Sequence, residues 1–122
     1  MQADRAAIFE YHNGGYNLTG LPFLHFSLAV QRNRLGVVEL SKDFDNMLVS
    51  SVPDFIESLN RTDINYVDDI IQLKEIFPRL YRELKDDKMQ SAIFCNLEGV
   101  DDEVGFLMLA FKSKPINNKN KI

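Results

Sequence analysis

The stretch Ser91–Lys112, SAIFCNLEGVDDEVGFLMLAFK, decides the fold class. Two apolar runs, Ser91 to Leu97 and Val104 to Lys112, flank the acidic turn Glu98 to Glu103, which is the pattern of a β-hairpin. In the second run Leu107, Leu109 and Phe111 alternate with Phe106, Met108 and Ala110, so both faces are apolar. A hairpin of that kind belongs at the centre of a sheet with something packed on each side.

Working outward, Arg5 to His12 reads as a strand, with Ala7, Phe9 and Tyr11 on one face and Ala6, Ile8, Glu10 and His12 on the other. Asn13-Gly14-Gly15 is expected to stop it, because these residues take positive φ at little cost. Phe23 to Arg34 alternates more cleanly: Leu24, Phe26, Leu28 and Val30 share one face, and His25, Ser27, Ala29 and Gln31 the other. Gly36 to Leu40 reads as a further short strand. Ser51-Val-Pro-Asp54 opens a helix, with Ser51 as cap, Pro53 in the first turn and Asp54 in the favourable dipole position. Val52, Phe55, Ile56 and Leu59 fall on its apolar face. Tyr66 to Ile71 reads as a short strand. Leu73, Ile76, Phe77, Leu80 and Leu84 then repeat at helical spacing, so a second helix covers Leu73 to Asp87. Pro78 inside it requires either a kink or a short turn before a helix that begins there. The class is α+β, an antiparallel sheet of about five to six strands with helices packed on it.

The chain has 122 residues, 45% apolar and 26% charged, the balance of one folded domain. No apolar run approaches the ~18 residues that cross a bilayer, and MQADRAAIFE is not a signal peptide. A single cysteine, Cys95, excludes an internal disulfide framework and a multi-cysteine zinc site. The net charge of −4 has the wrong sign for a general nucleic-acid binder. The end is different: KSKPINNKNKI carries four lysines and no acid, leaving the preceding 111 residues at −8. Residues 1–112 are therefore read as one domain and 113–122 as a lysine-rich flexible tail.

Two strands, a helix, a short strand, a helix and a terminal hairpin resemble the order of a GAF domain. Short phrases are similar too: ADRAAIFEYHNGG at 3–15, GLPF at 20–23, VPDFIESL at 52–59, IFPRLYRELKDDKMQSAIFCNL at 76–97 and GFLMLAFK at 105–112. GAF domains usually begin and end with long helices that form a dimer interface and pass a signal onward. Here the first strand starts almost at Met1 and the lysine-rich tail stands where the last helix would be, so the expectation is a trimmed or reduced version of the fold.

The resemblance implies a pocket between one sheet face and the helices and loops that cover it. The candidate ligand contacts are Tyr11, His25, Ser27 and Gln31, read as lying opposite Leu24, Phe26 and Leu28, with Asn13, Tyr16 and Asn17 as a lid. No cofactor is assigned. GAF domains that hold bilin carry a cysteine commonly followed by histidine, and Cys95 is followed by Asn96. The cyclic-nucleotide phrase is approached only by Ser41-Lys42-Asp43-Phe44-Asp45, ahead of the position where it belongs. No phosphate-binding glycine loop is present. Cys95 in an apolar strand reads as a small hydrophobe rather than a nucleophile served by His12 or His25, and one cysteine cannot run sulfoxide-reductase chemistry. His12, His25 and Glu10 could in principle ligate a metal, and Asp101, Asp102 and Glu103 have calcium-like chemistry without the spacing, so no metal is assigned.

The reading is a non-catalytic GAF-like sensory or regulatory domain, cytoplasmic, binding a small molecule or a protein partner and no nucleic acid. Ligand would shift the packing of the helix over Ser51 to Leu59. If the chain is complete, a bare sheet face favours a homodimer. The alternative is a ligand-free structural or interaction domain, the external part of a membrane-anchored phage or bacterial protein of holin type, with any membrane contact made by sequence not in this chain.

Overall fold

Alternation in the two ends of the chain closes into one sheet. The structure, a computed structural model, describes residues 3–16, 22–40, 44–98 and 103–113. Its strands are β1 (Arg5–Tyr16), β2 (Pro22–Asn33), β3 (Met47–Leu48), β4 (Ile64–Val67), β5 (Ser91–Glu98) and β6 (Glu103–Phe111); its helices are α1 (Pro53–Arg61) and α2 (Pro78–Asp86). The sheet order is β3-β2-β1-β6-β5-β4, antiparallel throughout. The terminal hairpin thus supplies a central strand, as its two apolar faces require. The helices pack on the face carrying Phe106, Met108 and Ala110; Leu107 and Leu109 on the opposite face are only half-buried. That corrects the expectation of cover on both sides, as far as the described residues go.

Several local expectations are also corrected. β1 does not stop at Asn13-Gly14-Gly15 but runs to Tyr16, because Asn13 pairs with Leu24 and Gly15 with Phe23 across a register irregularity that absorbs one residue. Gly36 to Leu40 is not a strand: Gly36 takes φ +89° in a turn closed by Val37 N–H to Arg34 O, and the chain leaves the sheet. The strand next to β2 is Met47–Leu48 instead. Val52, not Ser51, occupies the cap of α1, and the Ser51 hydroxyl donates to Leu48 O at 2.6 Å. Pro53 and Asp54 stand in the first turn as read. The short strand is Ile64–Val67 rather than Tyr66 to Ile71, because Asp69 accepts from Ile71 N–H and starts a 3-10 turn over Ile70–Leu73. Of the two readings around Pro78, the helix that begins there is the one observed. The turn 99–102 and the lysine-rich tail from Lys114 lie outside the described residues.

Seven rings fill the layer between sheet and helices: Phe9, Phe26, Phe44, Phe55, Phe77, Phe94 and Phe106, none more than 2% exposed. Neighbouring centroids lie 4.8 to 6.3 Å apart, mostly edge-to-face, an arrangement that adds about 0.5–1.5 kcal/mol per pair beyond burial. The close approach of β1 to β6 that permits this packing depends on Gly105. A Cβ there would stand 1.9 Å from Phe9 O. Gly105→Ala is expected to destabilise the domain by about 3 kcal/mol in urea unfolding, at the upper end of ordinary overpacking costs.

The opposite end of the layer is held by polar groups. Arg5 is fully buried, its Nε donating to Asn33 Oδ1 and its Nη2 to Asp87 Oδ2, each at 2.8 Å, and to Val38 O. One guanidinium therefore ties the start of β1 to the end of β2, the loop after it and the end of α2. Beside it, Asp4 accepts from Lys112 N–H at 2.7 Å and pairs with Arg34 at 3.1 Å. The Lys112 N–H, with Arg34 adding to it, holds the Asp4 carboxyl below the ordinary carboxylate range. A depressed carboxyl stabilises the fold above the unfolded-state value of about 4 and loses that contribution as pH falls through the folded-state value. In urea unfolding from pH 3 to 7, Asp4→Asn is expected to be less stable than the parent near neutrality, with the gap closing below about pH 4.

Candidate functional site

The register between β1 and β2 decides which candidate residues share a face. Ile8 faces Val30 and Phe9 faces Leu28, so Ala29 is an unpaired bulge residue and the alternation of β2 reverses there. Beyond the bulge Gln31 stands opposite Ala7 on the helix-covered face, while Val30 joins Ile8 on the outer face at 48% exposure. Tyr11 stands directly opposite Phe26 and so shares its face, with its ring 6.2 Å from Phe106. The expected grouping of Tyr11, His25, Ser27 and Gln31 on one face is therefore corrected: Tyr11 and Gln31 lie inward, and His25 and Ser27 outward.

Gln31 is engaged within the fold, its Oε1 accepting from Leu40 N–H and from Asn33 Nδ2, each at 2.9 Å. Asn13 and Tyr16 sit in β1 opposite Leu24 and Pro22. Asn17 lies outside the described residues.

His25 and Ser27 form a joint with His12. His12 faces His25 across the strands, the rings stacked at 5.7 Å and 16°. His12 Nε2 is 2.7 Å from Ser27 Oγ, which also accepts the Asn46 N–H at 2.6 Å. The serine hydroxyl donates to His12 Nε2 or accepts from it according to the imidazole tautomer. The hydroxyl thereby connects β1, β2 and the turn leading into β3. Among the described residues no group of three His, Cys, Asp or Glu side chains is placed to hold a metal ion. Cys95 lies half-buried opposite Leu107 and Ile64, and burial pushes its thiol up, away from the thiolate that reacts.

Two of the cavities among the described residues border the helices. The smaller, about 140 Å³, lies between α1, β4 and the Ile70–Leu73 turn, against Phe55, Asn65, Tyr66 and Ile76. The larger, about 480 Å³, is an open groove where β3 meets the starts of both helices. Met47, Val52, Phe77 and Pro78 give it apolar walls, and Asp45, Asn46, Ser51, Arg79 and Arg82 its polar groups. Asn46 adopts φ 55°, a left-handed conformation asparagine tolerates. Sequence reading missed this site, because its walls come from three segments brought together only by packing. The i, i+3 arginines on α2 were the available signal.

The six-stranded antiparallel sheet with helices on one face is a GAF-like fold. Among solved structures the chain is similar to the blue-light absorbing form of the Thermosynechococcus elongatus PixJ GAF domain, with TM-score 0.62 and 14% identity over 93% of this chain and 61% of that one. It is also similar to the phycocyanobilin-bound GAF domain of a cyanobacterial phytochrome, with TM-score 0.61 and 12% identity over 98% of this chain and 66% of that one. A red/green cyanobacteriochrome, NpR6012g4, in its green light-absorbing state gives 0.59 and 11% over 92% and 67%. At such identities the likeness is one of fold. The chain spans 61–68% of the length of the PixJ and phytochrome domains it matches. No family model and no curated protein sequence matches it. No helix among the described residues is long and apolar enough to cross a membrane.

Ser27→Ala removes the acceptor of Asn46 N–H and the partner of His12. It is expected to cost about 1–2 kcal/mol and to speed hydrogen exchange at the Asn46 amide, leaving the amides of β5 unchanged.

Proposed function

We propose that the chain is a non-catalytic sensory or regulatory domain that binds a small molecule in the groove between β3 and the starts of α1 and α2. The observation that carries this is the contrast between a layer filled by phenylalanine rings and the groove of about 480 Å³ at its rim. That size falls within the ordinary range of small-molecule sites. A GAF domain that holds phycocyanobilin shares the fold, which supports a small-molecule role. A ligand wedged between Val52 and Phe77 would select one spacing of α1 and α2, shifting the population of packings. Of the residues singled out from the sequence, Ser27 connects to this groove directly, through Asn46. This reading takes the domain as cytoplasmic.

The outer sheet face favours a second reading, a protein-interaction domain. Ile8, Ile93, Leu107 and Leu109 are half-buried there, and Val30, Ile64 and Tyr66 are 48%, 48% and 64% exposed. A contiguous apolar face of this kind marks an interaction surface.

Native mass spectrometry of the gently purified chain separates the two. The expected result is a defined added mass that disappears on denaturation. A ligand-free monomer or dimer that gains no mass after incubation with cell extract would overturn the small-molecule reading, and a dimer that Tyr66→Glu dissociates would establish the second.

A further inference from the structure

We propose that the groove takes a small organic anion, whose carboxylate or phosphate is held by Arg79 and Arg82 while its apolar part lies against Met47, Val52 and Phe77. The inference rests on the groove being the ligand site, and it adds the chemical class. Arg79 and Arg82 are one turn apart on α2, and both line the groove. Guanidinium groups at that spacing can present paired N–H donors to a planar carboxylate or to phosphate oxygens, a match that lysine does not make.

The charge balance is local and runs against the rest of the chain. The groove has two arginines and one acid, Asp45, in a chain whose net charge is −4. Among the described residues Arg82 makes no ion pair, whereas Arg79 is already engaged within the fold, so Arg82 is the primary anion contact and Arg79 contributes its remaining donors. A concave site of positive sign concentrates anions over an acidic surface that otherwise repels them. The apolar wall supplies what a bare inorganic ion does not use, which points to an anion carried on a ring or short hydrocarbon body.

The test is a nitrogen-15 NMR titration at low salt with benzoate, phenyl phosphate and benzamide, the last an uncharged molecule of the same shape. The expected result is that the two anions shift the amides of residues 45–47 and 79–82 and bind there about three- to tenfold more tightly than benzamide. Arg82→Gln, a change at an exposed position that leaves the remaining spectrum in place, should remove that preference. Equal binding of all three probes at the groove, or a preference that survives in Arg82→Gln, overturns the anion assignment while the ligand site stands. Absence of any shift at the groove from all three overturns both the assignment and the site.

Discussion

The ring of Phe106 is the point on which the rest of the structure depends. It stacks on Phe9 at 4.8 Å, meets Phe26 at 5.6 Å and Phe55 at 5.5 Å, and reaches Phe94 at 6.3 Å. These neighbours belong to β1, β2, α1 and β5, so one side chain joins both halves of the sheet to a covering helix. Dense ring packing of this kind leaves few voids larger than a water molecule. With the centre of the layer filled in this way, the larger of the two cavities described lies at its rim, where β3 meets the starts of both helices.

The far end of the same layer is organised by charge instead. Burying a guanidinium is costly unless its donors are matched; Arg5 Nε and Nη2 are matched by an amide, a carbonyl and a carboxylate from three separate segments, while Nη1 is buried with no partner among the described residues. Such a group adds little net stability over an apolar filling but admits few alternative arrangements of its partners. Gln31 and Asn33 belong to this network, which explains why Gln31 serves the fold and does not line the groove. The protein is therefore pinned at one end by polar contacts and at its centre by rings, with the groove near the remaining edge strand, β3. An element bordered by fewer contacts is where ligand-dependent repacking costs least.

The outer face carries a different implication. Alternation in β4, β5 and β6 puts Tyr66, Ile93 and Leu109 in one row and Ile64, Cys95 and Leu107 in the next, since directly opposed residues point the same way. The polar joint of His12, His25 and Ser27 lies at the other side of this face, on β1 and β2. The face thus carries apolar rows across β4, β5 and β6 and this polar joint on β1 and β2, where Val30 is a further exposed apolar residue. The groove opens on the rim of the opposite, helix-covered side, so binding there and contact through the outer face can proceed together.

By itself the sequence determined the class of fold, the antiparallel end strands, both helices and most of the core. Those features follow from period-two and period-3.6 spacing of Phe26, Phe106, Met108, Leu59, Leu80 and Leu84, which depends only on near neighbours along the chain. It did not determine the faces of Val30 and Gln31, nor that Tyr11 stands opposite Phe26, which the pairing of β1 with β2 sets. One bulge residue, Ala29, reverses the alternation, and a bulge is set by pairing with another strand. The burial of Arg5 was equally hidden, because its partners Asn33, Val38 and Asp87 are distant in sequence. Only the tertiary structure brought Asn46, Val52, Phe77 and Arg82 around one groove, for local spacing carries no information about which separate segments will meet.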